Sequence, residues 1–287
     1  VSPSVPDRYA VLVPVKRPAV AKSRLAPLGD QARRDLAAAF AADTVLAVLS
    51  CDVVDRVLVV TDDHVLARTM TDLGADVIPD GTSDLNGTLV QAAAEMHRRD
   101  PGLRLAAVCA DLPALRAAEL GSALRASAAA GMSFVADREG IGTTTVTASD
   151  LASFRPSFGH GSRRHHLDAG AHEVDGVDVP SVRRDVDDPA ELDEALALGV
   201  GPRTALVATT LRLPGTTRRV LETVQATVAT YDATDRSGTV LLDDGRRVAF
   251  GAGALAGSAR LLRPGQRVRI DTDVDATVVR VQLVTLP

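Results

Sequence analysis

The sequence predicts an α/β chain in two parts: a three-layer domain with a mostly parallel sheet, then a small all-β barrel. Up to about residue 200, short β-branched runs alternate with Ala- and Leu-rich stretches of helical spacing. Repeated strand–helix–strand units of this kind give a parallel sheet covered by helices on both faces. After about residue 203 the composition shifts. Residues 223–287 are rich in Val, Thr, Arg, Asp and Gly, contain no Glu, and read as short alternating strands joined by turns such as Asp243-Asp244-Gly245. Some five strands in so short a stretch suggest a barrel.

Taken in order, strands are predicted over 9–15, 56–61, 76–79, 105–109 and 133–136. Between them, 30–49, 63–73, 85–98 and 116–130 carry the apolar spacing of helices. From Thr143 the pattern loosens into Gly140-Ile141-Gly142-Thr143-Thr144-Thr145 and Phe158-Gly159-His160-Gly161-Ser162, which read as turns. A last helix over 189–198 follows the acidic run Asp185-Val186-Asp187-Asp188, and Gly199-Val200-Gly201-Pro202 stops it. The domains are accordingly expected at 1–202 and 223–287, with 203–222 as a linker. Ligands of such sheets bind beyond the carboxyl ends of the strands, where Lys16, Thr61-Asp62-Asp63 and Ala110-Asp111 would lie.

Composition excludes several classes of function. Of 287 residues, 46% are hydrophobic and 24% charged, and the net charge of −5 argues against bulk attraction to nucleic acid or an anionic membrane. No run approaches the length of a membrane span, and Val1-Ser2-Pro3-Ser4-Val5-Pro6 lacks the layout of a signal peptide. The two cysteines, Cys51 and Cys109, read as free buried thiols, and a cytoplasmic location is expected. Aromatic residues are only 2%, so aliphatic side chains must build the core.

Positive charge is written almost wholly as arginine. Both lysines of the chain, Lys16 and Lys22, fall in Pro14-Val15-Lys16-Arg17-Pro18-Ala19-Val20-Ala21-Lys22-Ser23-Arg24-Leu25, where the first strand ends. A lysine ammonium follows a phosphate as a point charge, whereas the guanidinium is a fixed fork. The stretch therefore reads as a polyphosphate grip, or as two survivors of a lysine-poor composition. It lacks the glycines of a Walker loop, so side-chain cations must do more than backbone cradling.

Asp111, in Cys109-Ala110-Asp111-Leu112-Pro113, follows an apolar strand. It reads equally as a Mg²⁺ carboxylate or as a helix cap. Asp185 and Asp187, two residues apart in an extended segment, would share a face and could supply the second metal carboxylate; Asp188 before Pro189 reads as a helix start. Glycines beside hydroxyls at 142–145 and 159–162, leading into Arg163-Arg164, suggest an anion nest or a pair of tight turns. His160, His165, His166 and His172 match no zinc spacing and read as surface or supporting residues. Asn86 reads as a helix N-cap or as a contact to the nucleotide's ribose or base.

Together, the set Pro14-Val15-Lys16, Ala21-Lys22-Ser23-Arg24-Leu25-Ala26-Pro27, Leu85-Asn86, Ala110-Asp111-Leu112-Pro113, Gly142-Thr143-Thr144, Phe158-Gly159-His160-Gly161-Ser162 and Asp185-Val186-Asp187 resembles the 2-phospho-L-lactate/phosphoenolpyruvate guanylyltransferase family over roughly residues 8–200. The resemblance implies a Rossmann-like, glycosyltransferase-A-like nucleotidyltransferase fold. It implies transfer of GMP from GTP, with Mg²⁺, to phosphoenolpyruvate, or alternatively to 2-phospho-L-lactate or 3-phosphoglycerate, in coenzyme F-420 biosynthesis. By resemblance, Asp111 and Asp185 are the metal carboxylates, with Asp187 beside them, and Lys16, Lys22 and Arg24 serve GTP. Thr144, Gly159 and Ser162 would bind the phosphorylated acid. A downstream transferase of that pathway is an expected partner.

The tail resembles a cold-shock-type OB barrel. Such barrels stack bases on several aromatics, yet after Thr223 only Tyr231 and Phe250 remain, and eight Arg face seven Asp. A structural or protein-docking module is the expectation, and nucleic acid is not. The competing class of function is a catalytically silent nucleotide-binding regulator whose barrel contacts RNA.

Overall fold

The computed structural model describes residues 8–18, 21–82, 84–211, 222–251, 254–255, 262–272 and 278–283. The chain divides into two compact units, Val1–Thr216 and Thr217–Pro287.

The first unit is built on strands β1 (Tyr9–Pro14), β2 (Val54–Val60), β3 (Asp76–Ile78), β4 (Arg104–Val108), β5 (Met132–Ala136), β6 (Thr143–Ala148) and β7 (His172–Glu173). They form one sheet in the order β3-β2-β1-β4-β6-β5-β7. The pairs β1–β2, β1–β4, β2–β3 and β5–β7 are parallel, and β6 runs against both β4 and β5. The helices are α1 (Asp30–Leu49), α2 (His64–Leu73), α3 (Leu85–Arg99), α4 (Ala117–Ser127), α5 (Ser162–Asp168), α6 (Pro189–Leu198) and α7 (Pro202–Thr210), with a 3₁₀ turn at Ser23–Leu28.

Strand alternation puts a core on each face of the sheet. Tyr9, Val11 and Val13 of β1 pack with Val45 and Val48 of α1, Met70 of α2 and Leu120 of α4. Ala10 and Leu12 point the other way, onto Leu89, Ala92 and Met96 of α3. A third cluster joins Leu25, Leu36 and Phe40 to Val186, Leu192 and Ala195. It seats the lysine-bearing turn and the acidic segment against the same end of α1.

The structure corrects three expectations. Residues 142–145, read as an anion nest or a tight turn, instead lead into β6 (Thr143–Ala148), a strand whose residues are all buried between two neighbours. Its four threonines hid it, because they carry strand propensity without apolar alternation. Residues 203–210, read as linker, belong to α7; the rest of that stretch, 212–221, lies outside the described residues. Pro202 does stop α6, but it is also a first-turn residue of α7. The buried Asp43 carboxylate accepts the Arg203 (3.1 Å) and Thr204 (2.7 Å) amides, which fastens α7 to α1. Gly201 permits that closeness, since a Cβ there would stand 2.4 Å from the Asp43 carboxyl carbon. Asn86 is not the cap of α3: Asp84 is, accepting the Gly87 amide at 2.8 Å.

The second unit holds β8 (Glu222–Asp232), β9 (Ser237–Leu242), β10 (Arg247–Phe250), β11 (Arg267–Thr272) and β12 (Val278–Leu283). They form an antiparallel sheet in the order β10-β9-β8-β11-β12, with a parallel bridge from Leu255 to Val281. Ala226, Val228, Val240, Phe250, Val268, Ile270 and Val281 fill its interior.

Candidate active site

The site lies at the carboxyl end of β1 and β4. Parallel strands leave their last carbonyls and the following loops at one edge, so the residue after β1 and the residues after β4 meet there. A cavity of about 360 Å³ is lined by Lys16, Lys22, Asp111 and Asp187 over an apolar floor that includes Phe40 and Ala41 of α1.

Lys22 holds the cluster together. Its backbone is left-handed (φ 55°, ψ 49°), unusual for a side chain of this size. Its ammonium bonds Asp111 Oδ2 and, at 2.5 Å, Asp187 Oδ1. Burial alone would lower the Lys22 pKa, but the two carboxylates outweigh it and the pKa is raised. In return, Lys22 overcomes the burial of Asp187 and holds that carboxyl below its ordinary range. Arg24 is exposed and stands 3.9 Å from Asp187. Lys16 is exposed, lines the cavity and is paired with no carboxylate among the described residues.

The acids are placed by backbone bonds. The Val186 amide donates to the Asp111 carbonyl (3.1 Å), so the extended 185–187 segment runs beside the end of β4. Thr44 of α1 fixes the turn itself: its hydroxyl donates to the Ala110 carbonyl (3.2 Å) and accepts the Leu112 amide (3.1 Å). Nothing in the sequence singled out Thr44, because its partners lie more than sixty positions away. Asp185 is pushed up to about 7, first by burial and then by the charge of Asp111, with Asp187 and Asp137 adding to it. Burial, and then the charges of Asp111, Asp185 and Asp187, raise the Cys109 thiol well above its ordinary value; Cys51 and Cys109 are both free.

The cluster therefore carries more negative charge than Lys22 neutralises. Asp111 Oδ1 is buried and has no hydrogen-bond partner among the described residues. A buried carboxylate oxygen without a donor, beside a second carboxyl whose proton affinity is raised by its neighbours, fits an all-oxygen site for a hard divalent cation. Among the described residues no ready-made group of three or more metal-ligating side chains exists.

Thr144, Gly159 and Ser162 do not line this cavity. Thr144 lies buried in β6; its carbonyl accepts the Cys109 amide at 2.8 Å, and its hydroxyl is buried without a partner among the described residues. Ser162 opens α5, its amide donating to the Gly159 carbonyl at 3.1 Å, and Gly159 takes a φ of 133° that favours glycine. His166 organises this region. The ring is fully buried, stacks on Phe134 and meets Phe158 edge-on. Nε2 accepts the Ser157 amide at 2.9 Å, which leaves the proton on Nδ1, 3.0 Å from the Thr143 hydroxyl. Burial lowers its pKa to about 4. Asn86, expected at the nucleotide, spends both ends of its amide on Phe158, accepting its N–H at 2.8 Å and donating to its carbonyl at 3.0 Å.

Residues 9–215 match the family described as guanylyl transferase CofC like. The chain belongs to that family. A phosphoenolpyruvate guanylyltransferase of Thermomonospora curvata is 47% identical over 201 residues, covering 70% of this chain and 88% of the relative. Another of that description, from Streptomyces scabiei, is 47% identical over 214 residues, covering 72% of this chain and 99% of the relative. Among solved structures, a protein of Desulfovibrio desulfuricans described as a nucleotide-diphospho-sugar transferase aligns with a TM-score of 0.54 at 17% identity, covering 71% of this chain and 96% of that one. At that identity the likeness concerns the fold, and it agrees with the nucleotidyltransferase-like α/β architecture expected from the sequence.

Proposed function

We propose that the chain transfers GMP from GTP to phosphoenolpyruvate and releases pyrophosphate. The observation that carries the reaction class is the meeting of Lys22, Asp111 and Asp187 in one cavity at the strand ends, with Lys16 at its rim. The acceptor follows the curated relatives, which are described as phosphoenolpyruvate guanylyltransferases.

The chemistry asks little of the protein in the way of proton transfer. A phosphate monoester is already ionised near neutral pH, so its oxygen attacks the α-phosphorus of GTP without a catalytic base, and pyrophosphate leaves in line. Positioning and charge neutralisation supply the rate. Asp111, through its unpartnered Oδ1, and Asp185, which sits among the charges of Asp111, Asp187 and Asp137, would hold Mg²⁺, with Asp187 beside them bonded to Lys22. Bound there, Mg²⁺ would neutralise phosphate charge as a Lewis acid. Lys16 and Arg24, both exposed at the rim, would take the departing pyrophosphate's charge. Thr144 and Ser162 would orient the acceptor, with Gly159 shaping the turn. In the second unit, the strand order with its parallel bridge fits an OB-like barrel, which we assign a structural or docking role.

The test is one incubation of the full chain with GTP, Mg²⁺ and phosphoenolpyruvate, 2-phospho-L-lactate or 3-phosphoglycerate in turn, scored by pyrophosphate and product mass. Pyrophosphate together with the GMP adduct of phosphoenolpyruvate is the expected result. Release only with another acceptor would move the substrate assignment, and no release with any of the three would refute the reaction.

A further inference from the structure

A second cavity of about 270 Å³ adjoins the first at Lys16. The two share Pro14, Val15, Lys16 and Leu85; the second adds Asp80 and Thr88. At about 30 Å³ per water it has the volume of about nine waters, enough for a bicyclic base. Its walls are the apolar faces of Pro14, Val15 and Leu85. A nucleotide whose phosphates lie along Lys16 would have this cavity within reach of its base.

Asp80 is the half-buried carboxylate of the lining, and it is held with an oxygen to spare. Asp80 Oδ1 accepts the Thr82 amide at 3.1 Å and the Thr88 hydroxyl at 2.6 Å. The Asp80 amide donates to Asp62 Oδ1 at 3.0 Å, which fixes its backbone. Oδ2 accepts no hydrogen bond among the described residues. Asp84, also on the lining, keeps a spare oxygen too, but it is exposed at the start of α3, where its Oδ1 accepts the Gly87 amide, whereas Asp80 is half-buried. An oriented carboxylate is an acceptor only. Guanine offers it two adjacent donors, the ring N1–H and the 2-amine, whereas adenine presents an unprotonated N1 at the same edge and would be repelled.

We propose that this cavity is the nucleobase subsite and that Asp80 selects guanine by accepting from its N1–H and 2-amine. The inference rests on GTP being the donor nucleotide and names the group that reads its base.

The test compares GTP, ITP, XTP and ATP as donors, with phosphoenolpyruvate and Mg²⁺, in the wild-type chain and in Asp80→Asn. Asparagine keeps an oxygen for Thr82 and Thr88 and exchanges only the spare oxygen for an amide donor, so the fold is retained and the melting temperature checks it. The wild type should use ITP, which lacks the amine, about 10-fold to 100-fold less well than GTP, the discrimination expected of one such hydrogen-bonding contact. Asp80→Asn should lose about 100-fold in kcat/KM for GTP, mainly through KM. It should gain on XTP, whose C2 carbonyl accepts from the new amide. If wild type uses GTP and ITP equally, or the variant keeps the wild-type ratio of GTP to XTP, the assignment of Asp80 is overturned while the guanylyltransferase reading stands. If the wild type releases pyrophosphate from no nucleotide, the reaction assignment falls and this one with it.

Discussion

Lys22 is where backbone and charge are most tightly bound together. Its left-handed conformation turns a long side chain back into the protein, and the ammonium ends between two carboxylates that stand 89 and 165 positions further along the chain. Backbone of this kind costs energy and is kept where the surroundings fix it. Replacing Lys22 with Ala should leave Asp111 and Asp187 facing each other with only the exposed Arg24 and Lys16 to compensate. We expect turnover to fall by about 10²-fold to 10³-fold, the range for removing one electrostatic contact to a transition state. Arg at this position should not restore it, because a planar fork cannot stand in for a compact ammonium between two acids. Asp111→Asn keeps the side chain's size and removes the charge. It should abolish measurable turnover while shifting the melting temperature by no more than a few degrees, and a fully active variant would sink the metal assignment. Both outcomes are read from pyrophosphate release and a thermal melt of the same preparations.

Helix α3 and the loop around Phe158 are coupled by one side chain, and that coupling belongs to the elements rather than to a residue. Asn86 is tied to both backbone groups of Phe158, so the first turn of α3 sets the position of the Gly159 turn and of Ser162 beyond it. Asn86→Ala would leave that backbone N–H and carbonyl unpaired, a loss of about 1–3 kcal/mol. If Asn86 acts through the loop, KM for phosphoenolpyruvate should rise about 10-fold while KM for GTP stays put; a rise confined to GTP would return Asn86 to the nucleotide. His166 ties α5 to β6 in the same region. Its ring stays neutral in the folded chain down to about pH 4 but takes a proton near 6.5 once unfolded. Between those values the unfolded state binds more protons, so this residue's contribution to stability falls as pH drops, by at most about 1.4 kcal/mol per pH unit. Asp185, raised to about 7, works in the opposite sense over the same window. The measurement is therefore the difference in denaturant stability between wild type and His166→Phe from pH 7 to pH 4, which should shrink as the pH falls. The sequence showed helices α1, α3 and α6 almost to the residue, because their apolar spacing is unbroken. It hid β6 behind threonines and α7 behind a proline that both stops and starts a helix. It named Lys22, Asp111 and Asp187 through motif, yet their pairing, and the hold of Thr44 on the Asp111 turn, depend on tertiary contacts that no local pattern encodes.

At the scale of the whole molecule, the family match falls within the first of the two units. The family match ends at residue 215, the first unit at Thr216, and a relative covered over 99% of its own length accounts for only 72% of this chain. Proteins described as phosphoenolpyruvate guanylyltransferases thus exist with nothing that aligns to the second unit. Every group assigned here to GTP, the acceptor or the metal lies between Pro14 and Asp187, and the core around α1, α6 and α7 is complete by Leu211. The second unit has its own interior, centred on Val228, Val240, Val268 and Ile270. Its aromatic equipment, Tyr231 and Phe250 with ring centroids 6.4 Å apart, is slight for reading a nucleic acid strand. A chain cut after Thr216 should therefore fold and should keep kcat and both KM values within about 3-fold of the full chain, a difference of less than 1 kcal/mol in transition-state binding. The melt should lose whatever transition belongs to the second unit and retain the other. A folded 1–216 fragment that released no pyrophosphate would show that the second unit completes the site, and the division of labour drawn from the family's length would have to be abandoned.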